Sequence, residues 1–187
     1  ISVGLINYSL FPGTTMGEVV RQIRNACKWI VANCGSYGIA PRELHLGGWS
    51  AGAHLASMAA ATLDTHNAAP EIDSVLAISG VFDLRPLLRT SANADLKLDE
   101  AEALRNSPVD LIPRRGQRIA LLWGGGETEA FREQSRIFSA NWRGKGADLR
   151  AEEIAKLHHY AIMDSLAREG TRGLKAALAL LGCEYQG

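Results

Sequence analysis

A serine between two glycines is the strongest chemical signal in the chain. Residues 48–52 read Gly-Trp-Ser-Ala-Gly, a G-x-S-x-G pattern with a short apolar stretch before it and an alanine-rich stretch after it. This is the strand–turn–helix context of a nucleophile elbow, where we expect a Cβ at Gly48 or Gly52 to clash. We predict that Ser50 is a nucleophile and that the backbone N–H of Ala51 stabilises an oxyanion at a helix N-terminus. The alternative is an ordinary glycine-rich turn.

A serine hydroxyl is a weak nucleophile at neutral pH, so a base must lie beside it. Because that base has to face Ser50 from the carboxyl edge of the sheet, a histidine that follows a later strand is favoured. The adjacent His158 and His159 meet this condition. His54, four residues after Ser50, is interpreted as a structural helix residue. The other two histidines are His45, just before the elbow, and His66, in a polar loop.

A carboxylate must orient the imidazole and stabilise its charged form. In a fold with such an elbow, the acid follows a strand that lies between the serine and the histidine in the sequence. Glu127 comes directly after a strand and the glycines 124–126, which favours it as the acid. Asp83 and Glu129 are competitors, and Glu127 would also suit a helix start through the helix dipole. The three glycines lack the lysine and Ser/Thr of a phosphate loop.

Secondary-structure signals place these residues on alternating strands and helices. Thr15 and Glu18 form a capping-box pattern, and apolar residues follow at helical spacing until Gly35 and Gly38. The nearly continuous apolar run 72–79 is typical of a parallel strand that is covered on both faces. The alternation indicates an α/β fold with a parallel sheet. We predict strands at 2–8, 44–49, 72–79, 119–123 and 148–154, helices at 50–63, 129–142 and from about 161 and 171, and an irregular insertion at 80–117 with helical pieces near 84–88 and 99–104.

Composition narrows the range of partners. The chain has 187 residues, which favours one domain, and its 20 basic and 20 acidic residues leave no net charge to attract nucleic acid or an anionic membrane. No apolar run is long enough to cross a bilayer. The three cysteines are an odd number without metal-ligand spacing, so we expect a reduced, cytoplasmic location. We predict a small-molecule partner and neither a metal nor another cofactor.

Four segments carry a resemblance to a known family. They are Asn7-Tyr8-Ser9-Leu10 with Gln22, Ala26 and Trp29; residues 47–56; residues 79–87 continuing to Ser107-Pro108; and residues 126–131 with Gln134-Ser135 and His159-Tyr160. In this order they resemble the α/β-hydrolases of the kynurenine formamidase and small carboxylesterase group. The resemblance implies that residues 1–187 are the C-terminal portion of a single α/β-hydrolase domain, with the N-terminal strands absent, a mostly parallel sheet, helices on both faces and the insertion at about 80–117.

The resemblance also implies roles for the candidate residues. Ser50 is the nucleophile, Glu127 stands where the family has its acid, and His159 is the base because the family's histidine precedes an aromatic residue. Asp83 then has a structural role at the sheet edge. Trp49, Phe82 and Tyr160 are candidates for the lining of an apolar substrate pocket, although each would also suit the core.

The sequence departs from the family at its start. The family carries an upstream His-Gly-Gly segment whose backbone N–H groups complete the oxyanion hole, and here only the Ala51 N–H remains. The chain opens at Ile1 directly into an apolar stretch, without a start methionine or signal peptide, so we interpret it as a piece of a longer protein. In the family's sheet order, the absent strand would lie between 2–8 and 44–49. We therefore expect a gap that a preceding segment or a separate chain, such as the other half of a homodimer, fills.

Two functions follow as hypotheses. The first is a serine hydrolase that cleaves a small carboxylic ester or an aryl formamide, such as N-formylkynurenine, through an acyl-enzyme. The second is a catalytically impaired or inactive binding domain that has kept the fold. The Ser50, Glu127 and His159 set favours the first hypothesis, whereas the absent oxyanion segment favours the second.

Overall fold

The computed structural model describes residues 1–40, 43–63 and 72–183, and four parallel strands form its sheet. Their order across the sheet is the order of the chain, and each strand pairs with the next. Because all four are parallel, their carboxyl ends meet at one edge, with Trp49 beside Ile78, and Ile78 beside Leu122. The strands are β1 (Leu44–Trp49), β2 (Ile72–Ile78), β3 (Arg118–Gly124) and β4 (Asp148–Ile154).

Helices connect the strands, as the sequence predicts. Thr15 caps the first of them by accepting a hydrogen bond from the Glu18 N–H, and Gly38 adopts a left-handed conformation after its end. In the described part of the chain the helices are α1 (Met16–Asn33), α2 (Ala51–Thr62), α3 (Asn93–Leu96), α4 (Glu100–Arg105), α5 (Glu129–Gly144), α6 (Ala161–Ala167) and α7 (Arg172–Leu180).

The sheet is covered on both faces, which confirms the predicted α/β-hydrolase-like layering. Alternate residues of a strand point to opposite faces. Ile119 and Leu121 of β3 pack in one cluster with α1, α2 and α5, whereas Leu122 packs with Ile78 and with Ile162 of α6 in another. The continuous apolar runs of β2 and β3 therefore serve two buried faces.

The predicted strand at 2–8 is wrong. Residues 1–10 form no strand, and the Ser9 N–H donates to the side chain of Gln22 in α1 instead of to a neighbouring strand. Val3 and Leu5 are 82% and 95% exposed. An apolar run becomes a strand only where another strand supplies hydrogen-bond partners, and this segment lies beside a helix. The outer edge of β1 has no paired strand within the described residues.

The insertion at 80–117 is irregular, as predicted, with α3, α4 and two 3₁₀ turns at Arg85–Arg89 and Pro108–Asp110. Hydrogen bonds tie it to the helices beneath. The Gln134 side chain of α5 accepts from the Phe82 and Asp83 N–H groups and donates to the Asp83 carbonyl. The insertion is thus held against the carboxyl edge of the sheet.

The cysteines are unpaired, and the described helices do not suit a membrane span. Cys27 is buried in α1, and burial raises the pKa of its thiol to about 11, whereas Cys34 and Cys183 are partly exposed. All three thiols are free. Among the described residues, no helix has both the length and the apolar character that a bilayer crossing needs.

Candidate active site

Ser50 occupies a strained turn between β1 and α2. Its φ of 55° and ψ of −117° are a conformation that a non-glycine residue rarely adopts, and its N–H donates to the Ile78 carbonyl of β2 at 2.8 Å. A Cβ on Gly48 would lie 2.1 Å from the carbonyl carbon of Gly52, so position 48 requires glycine. Gly52 differs from expectation, because a Cβ there would meet nothing within 4 Å. The turn is tight on its strand side only.

The first turn of α2 leaves donors unused. The Ser50 carbonyl accepts from the N–H groups of Ala53 and His54, and so begins the helix. The Ala51 N–H precedes these and has no hydrogen-bond acceptor within the described chain, as expected for the first position of a helix. Ala51 is also exposed. Its N–H is therefore available to an anion beside Ser50.

Glu127 and His159 are brought together across two loops. Glu127 follows β3, its side chain is wholly buried, and its Oε1 lies 3.3 Å from Nδ1 of His159. His159 follows β4, and its side chain keeps 20% exposure. The neighbouring His158 is turned away, since its Nδ1 accepts from the N–H groups of Tyr160 and Ala161 at the start of α6. Of the two histidines, His159 alone faces the buried carboxylate.

The glycines 124–126 explain how these loops approach so closely. A Cβ on Gly124 would lie 2.0 Å from the Leu157 carbonyl oxygen. The Gly125 N–H donates to the Ile154 carbonyl and the Gly126 N–H to the Leu157 carbonyl, both at 2.9 Å. The glycine run is therefore a packing surface between the loop of Glu127 and the loop that leads to His159.

Aromatic rings surround the His159 imidazole. Trp49 and Phe131 have their ring centroids 4.8 and 4.4 Å from it, and Tyr160 lies beside it at 5.7 Å. The Trp49 indole N–H also donates to the His159 carbonyl oxygen at 3.0 Å. Because Trp49 directly precedes Ser50, this bond ties the histidine loop to the elbow. Ser50 Oγ itself makes no hydrogen bond within the part of the chain that the structure describes, and such contacts often tighten only when substrate is bound.

The competing acids are engaged elsewhere. The carboxylate of Asp83 binds the guanidinium of Arg85, beside the start of the insertion. Glu129 is 62% exposed and pairs with Arg136 and Arg132, and these bonds, the one with Arg136 first, lower its pKa. Among the described residues, neither carboxylate is hydrogen-bonded to a histidine.

The remaining histidines also have structural partners. His54 is buried in α2, and its Nε2 lies 2.6 Å from the Asn106 carbonyl of the insertion. Burial lowers the pKa of His54 to about 4. His45 contacts Ser74 and Glu43, while His66 lies outside the described residues.

One of the three residues predicted to line the pocket lies in the core instead. Phe82 is wholly buried and stacks on Phe138 with ring centroids 4.0 Å apart, so the structure places it in the core. Trp49 and Tyr160 lie 5.4 Å apart beside His159, and Tyr160 is 70% exposed. These two rings are placed where a substrate could contact them.

Sequence reasoning missed two residues of this site. Phe131 covers one side of the His159 ring from the first turn of α5. Ser79, the residue after β2, is wholly buried and donates from its Oγ to Oε1 of Glu127 at 2.5 Å. The position of Ser79 at the carboxyl end of a buried strand was the signal that could have found it.

Comparisons with known proteins agree with this architecture. A kynurenine formamidase of Danio rerio is 29% identical over 183 residues, which are 95% of this chain and 61% of the relative. One of Salmo salar is 30% identical over 173 residues, covering 89% of this chain and 58% of the relative. The crystal structure of a proposed thioesterase from a Silicibacter species has a TM-score of 0.72 and 29% identity, covering 94% of this chain and 62% of that one.

The chain thus spans about three fifths of the length of these relatives. A family model described as BD-FAE matches residues 2–113, more than half of the chain, including the elbow but ending before Glu127 and His159. The sheet, its two helical layers and these matches agree, so the chain belongs to the BD-FAE family and is an α/β-hydrolase of the formamidase and esterase group.

Proposed function

We propose that this chain carries the nucleophile, base and acid of a serine hydrolase that cleaves a small carboxylic ester or an aryl formamide. The observation that carries the proposal is the hydrogen bond between buried Glu127 and His159, tied to the Ser50 elbow through Trp49. A strained serine, an imidazole and a buried carboxylate follow in the chain order of α/β-hydrolases. No metal and no cofactor are needed for this reaction.

The proposed reaction has two half-reactions. Ser50 Oγ attacks the substrate carbonyl while His159 Nε2 takes the hydroxyl proton, and the Ala51 N–H binds the oxyanion. Glu127 accepts from His159 Nδ1–H and stabilises the imidazolium. His159 then gives its proton to the departing alcohol or amine, which leaves an acyl group on Ser50. Water, deprotonated by His159, attacks this acyl-enzyme. The bond between the acyl carbon and Ser50 Oγ then breaks, His159 returns the proton to Oγ, and the carboxylic acid is released.

The names of the relatives and the aromatic surroundings of the base support the proposed substrate class. Two of the relatives are named kynurenine formamidases. If this chain acts on an aryl formamide, the acyl group on Ser50 is formyl and the acid released is formate. Exposed Tyr160 and half-buried Trp49 would then contact the aromatic leaving group beside His159.

A further part of the proposal concerns the open edge of β1. The Ala51 N–H is a single oxyanion donor, and loss of one such donor costs about 10²–10³ in rate in other serine hydrolases. The outer edge of β1, which leads directly to Ser50, has no paired strand among the described residues. We propose that another segment or a second copy pairs along this edge in the fully active enzyme and supplies the second donor.

Hydrolysis by the purified chain tests the proposal. We expect turnover of N-formylkynurenine or of a short p-nitrophenyl ester, and loss of that turnover in Ser50→Ala. Ser57→Ala is the matched control, because Ser57 is a buried serine of α2 that donates to a backbone carbonyl. Equal turnover by the wild type and Ser50→Ala would overturn the proposal. No turnover of either substrate, by this chain or by a longer protein containing it, would favour a binding domain.

A further inference from the structure

Ser79 stands at a place where the backbone favours glycine. Its φ is 47°, in the left-handed region, which costs a residue with a Cβ about 1 kcal/mol or more. Its N–H is fixed by the Leu122 carbonyl of β3 at 2.8 Å. A serine held in such a conformation, wholly buried at the edge where the site lies, needs a reason in its side chain.

That reason is the contact with the acid. Ser79 Oγ donates to Oε1 of Glu127 at 2.5 Å, and the same oxygen faces His159 Nδ1 at 3.3 Å. The other carboxylate oxygen, Oε2, is buried and has no hydrogen-bond partner within the described chain. The hydrogen bond from Ser79 is therefore the shorter of the two that hold this carboxylate. The backbone of Ser79 is itself hydrogen-bonded to the sheet.

Other buried serines behave differently. Ser57 and Ser107 donate to backbone carbonyls four residues earlier in their own segments, which satisfies the hydroxyl and leaves the site untouched. A bond to an ionised carboxylate is about twice as strong as a bond between neutral groups. The hydroxyl of Ser79 thus restricts the rotation of the Glu127 carboxylate, and that carboxylate in turn orients the imidazole.

We propose that Ser79 is a positioning residue of the hydrolase, which acts through Glu127 and keeps Oε1 directed at His159 Nδ1. The proposal rests on the proposed function. It predicts that loss of the hydroxyl leaves Glu127 held by one longer bond, so that the imidazole is oriented in a smaller fraction of molecules. Substrate binding, which involves other groups, should be unaffected.

The experiment compares Ser79→Ala, Ser79→Gly and the control Ser57→Ala. Glycine relaxes the backbone at φ 47° and alanine does not, yet both remove the hydroxyl, so the pair separates backbone strain from the hydrogen bond. We expect kcat to fall by about 10- to 100-fold in both Ser79 variants, with KM within about twofold of wild type. Ser57→Ala should keep the wild-type kcat. A wild-type kcat in Ser79→Gly would overturn the proposal.

A second measurement does not depend on turnover. The proton of an imidazole Nδ1–H bonded to a carboxylate gives a downfield ¹H NMR signal, which we expect to shift and broaden in both Ser79 variants but not in Ser57→Ala. An unchanged signal would contradict the role of Ser79 even if the enzyme is active. If the wild type fails to hydrolyse any substrate, the proposed function fails, and the NMR comparison still decides whether Ser79 positions Glu127.

Discussion

The two sides of the candidate site differ in how they are held. On the acid side, Glu127 and His159 are fixed by each other, by Ser79, by Trp49 and by close contact between the two loops. On the nucleophile side, Ser50 is held through its backbone only, and beyond it the edge of β1 is open within the described chain. Under the proposed function, the acid and the base are therefore preorganised in this chain, whereas the proposed oxyanion site would be completed by whatever pairs with β1.

Replacement of His159, which is bonded to Glu127 on the acid side, should have the largest effect on activity. We expect His159→Ala to lower kcat/KM for an ester by about 10³-fold or more, because the proposed function assigns the removal of the Ser50 proton to His159. His158→Ala is the matched control and should cost little, since His158 only caps α6. Steady-state assays of the two variants check this, and a dead His158→Ala with an active His159→Ala would reverse the assignment of the base.

Glu127→Gln should have the next largest effect. The amide keeps the size of the side chain but removes the charge that stabilises the imidazolium, so we expect a loss in kcat of about 10²–10⁴. Glu129→Gln, two residues away and exposed, should change kcat by less than about threefold. If the two variants lost activity equally, the acid side would not be organised around Glu127.

Variants of Phe82 and Tyr160 distinguish a core residue from a proposed pocket residue. We expect Phe82→Ala to lower the free energy of unfolding by about 3–5 kcal/mol, since it removes a wholly buried ring stacked on Phe138. Tyr160→Ala should leave stability within about 1 kcal/mol and raise KM for an aryl substrate. Urea unfolding and steady-state assays measure both. A stable Phe82→Ala with an altered KM would restore Phe82 to the pocket.

The smallest expected effect is the contribution of His54, in the helix that follows Ser50, to the pH dependence of stability. Burial lowers the pKa of His54 to about 4, whereas the unfolded side chain titrates near 6.5. Between these values the unfolded chain takes up a proton that the folded chain does not, so stability is lost as pH falls from about 6.5 to 4, by about 3 kcal/mol at most. His54→Gln should lose less stability than wild type between pH 7 and 4.5 in urea unfolding. Identical losses would show that His54 contributes nothing.

Much of the fold could be predicted from the sequence. The four strands of the sheet agree with the predicted spans within one residue. For β2 and β3 the reason is that strands buried on both faces leave nearly continuous apolar runs between helices. The segment 2–8 carries a similar pattern and was predicted wrongly, since a local pattern does not say whether another strand is present to pair with it. The predicted clash at Gly52 is wrong for a similar reason, because the G-x-S-x-G motif does not determine which atoms surround each of its glycines.

The sequence predicts the site residues that directly follow strands. It does not predict contacts between residues that are far apart in the sequence. The elbow, the acid loop and the histidine loop each follow a strand, and parallel strands bring their ends together. Phe82 also follows a strand, but the direction of its ring depends on Phe138, which lies in another element. The position of Ser79 after a buried strand places it at this edge of the sheet, but its bond to Glu127, 48 positions away, cannot be predicted from that position alone.

The most direct test of the central claim is covalent labelling of the nucleophile. A fluorophosphonate reacts with a serine only where a base activates it, so we predict an adduct located on Ser50 by mass spectrometry of the wild-type chain. Labelling should vanish in Ser50→Ala, fall strongly in His159→Ala and persist in His158→Ala. An unlabelled wild-type chain, or labelling of Ser50 that does not depend on His159, would contradict the account.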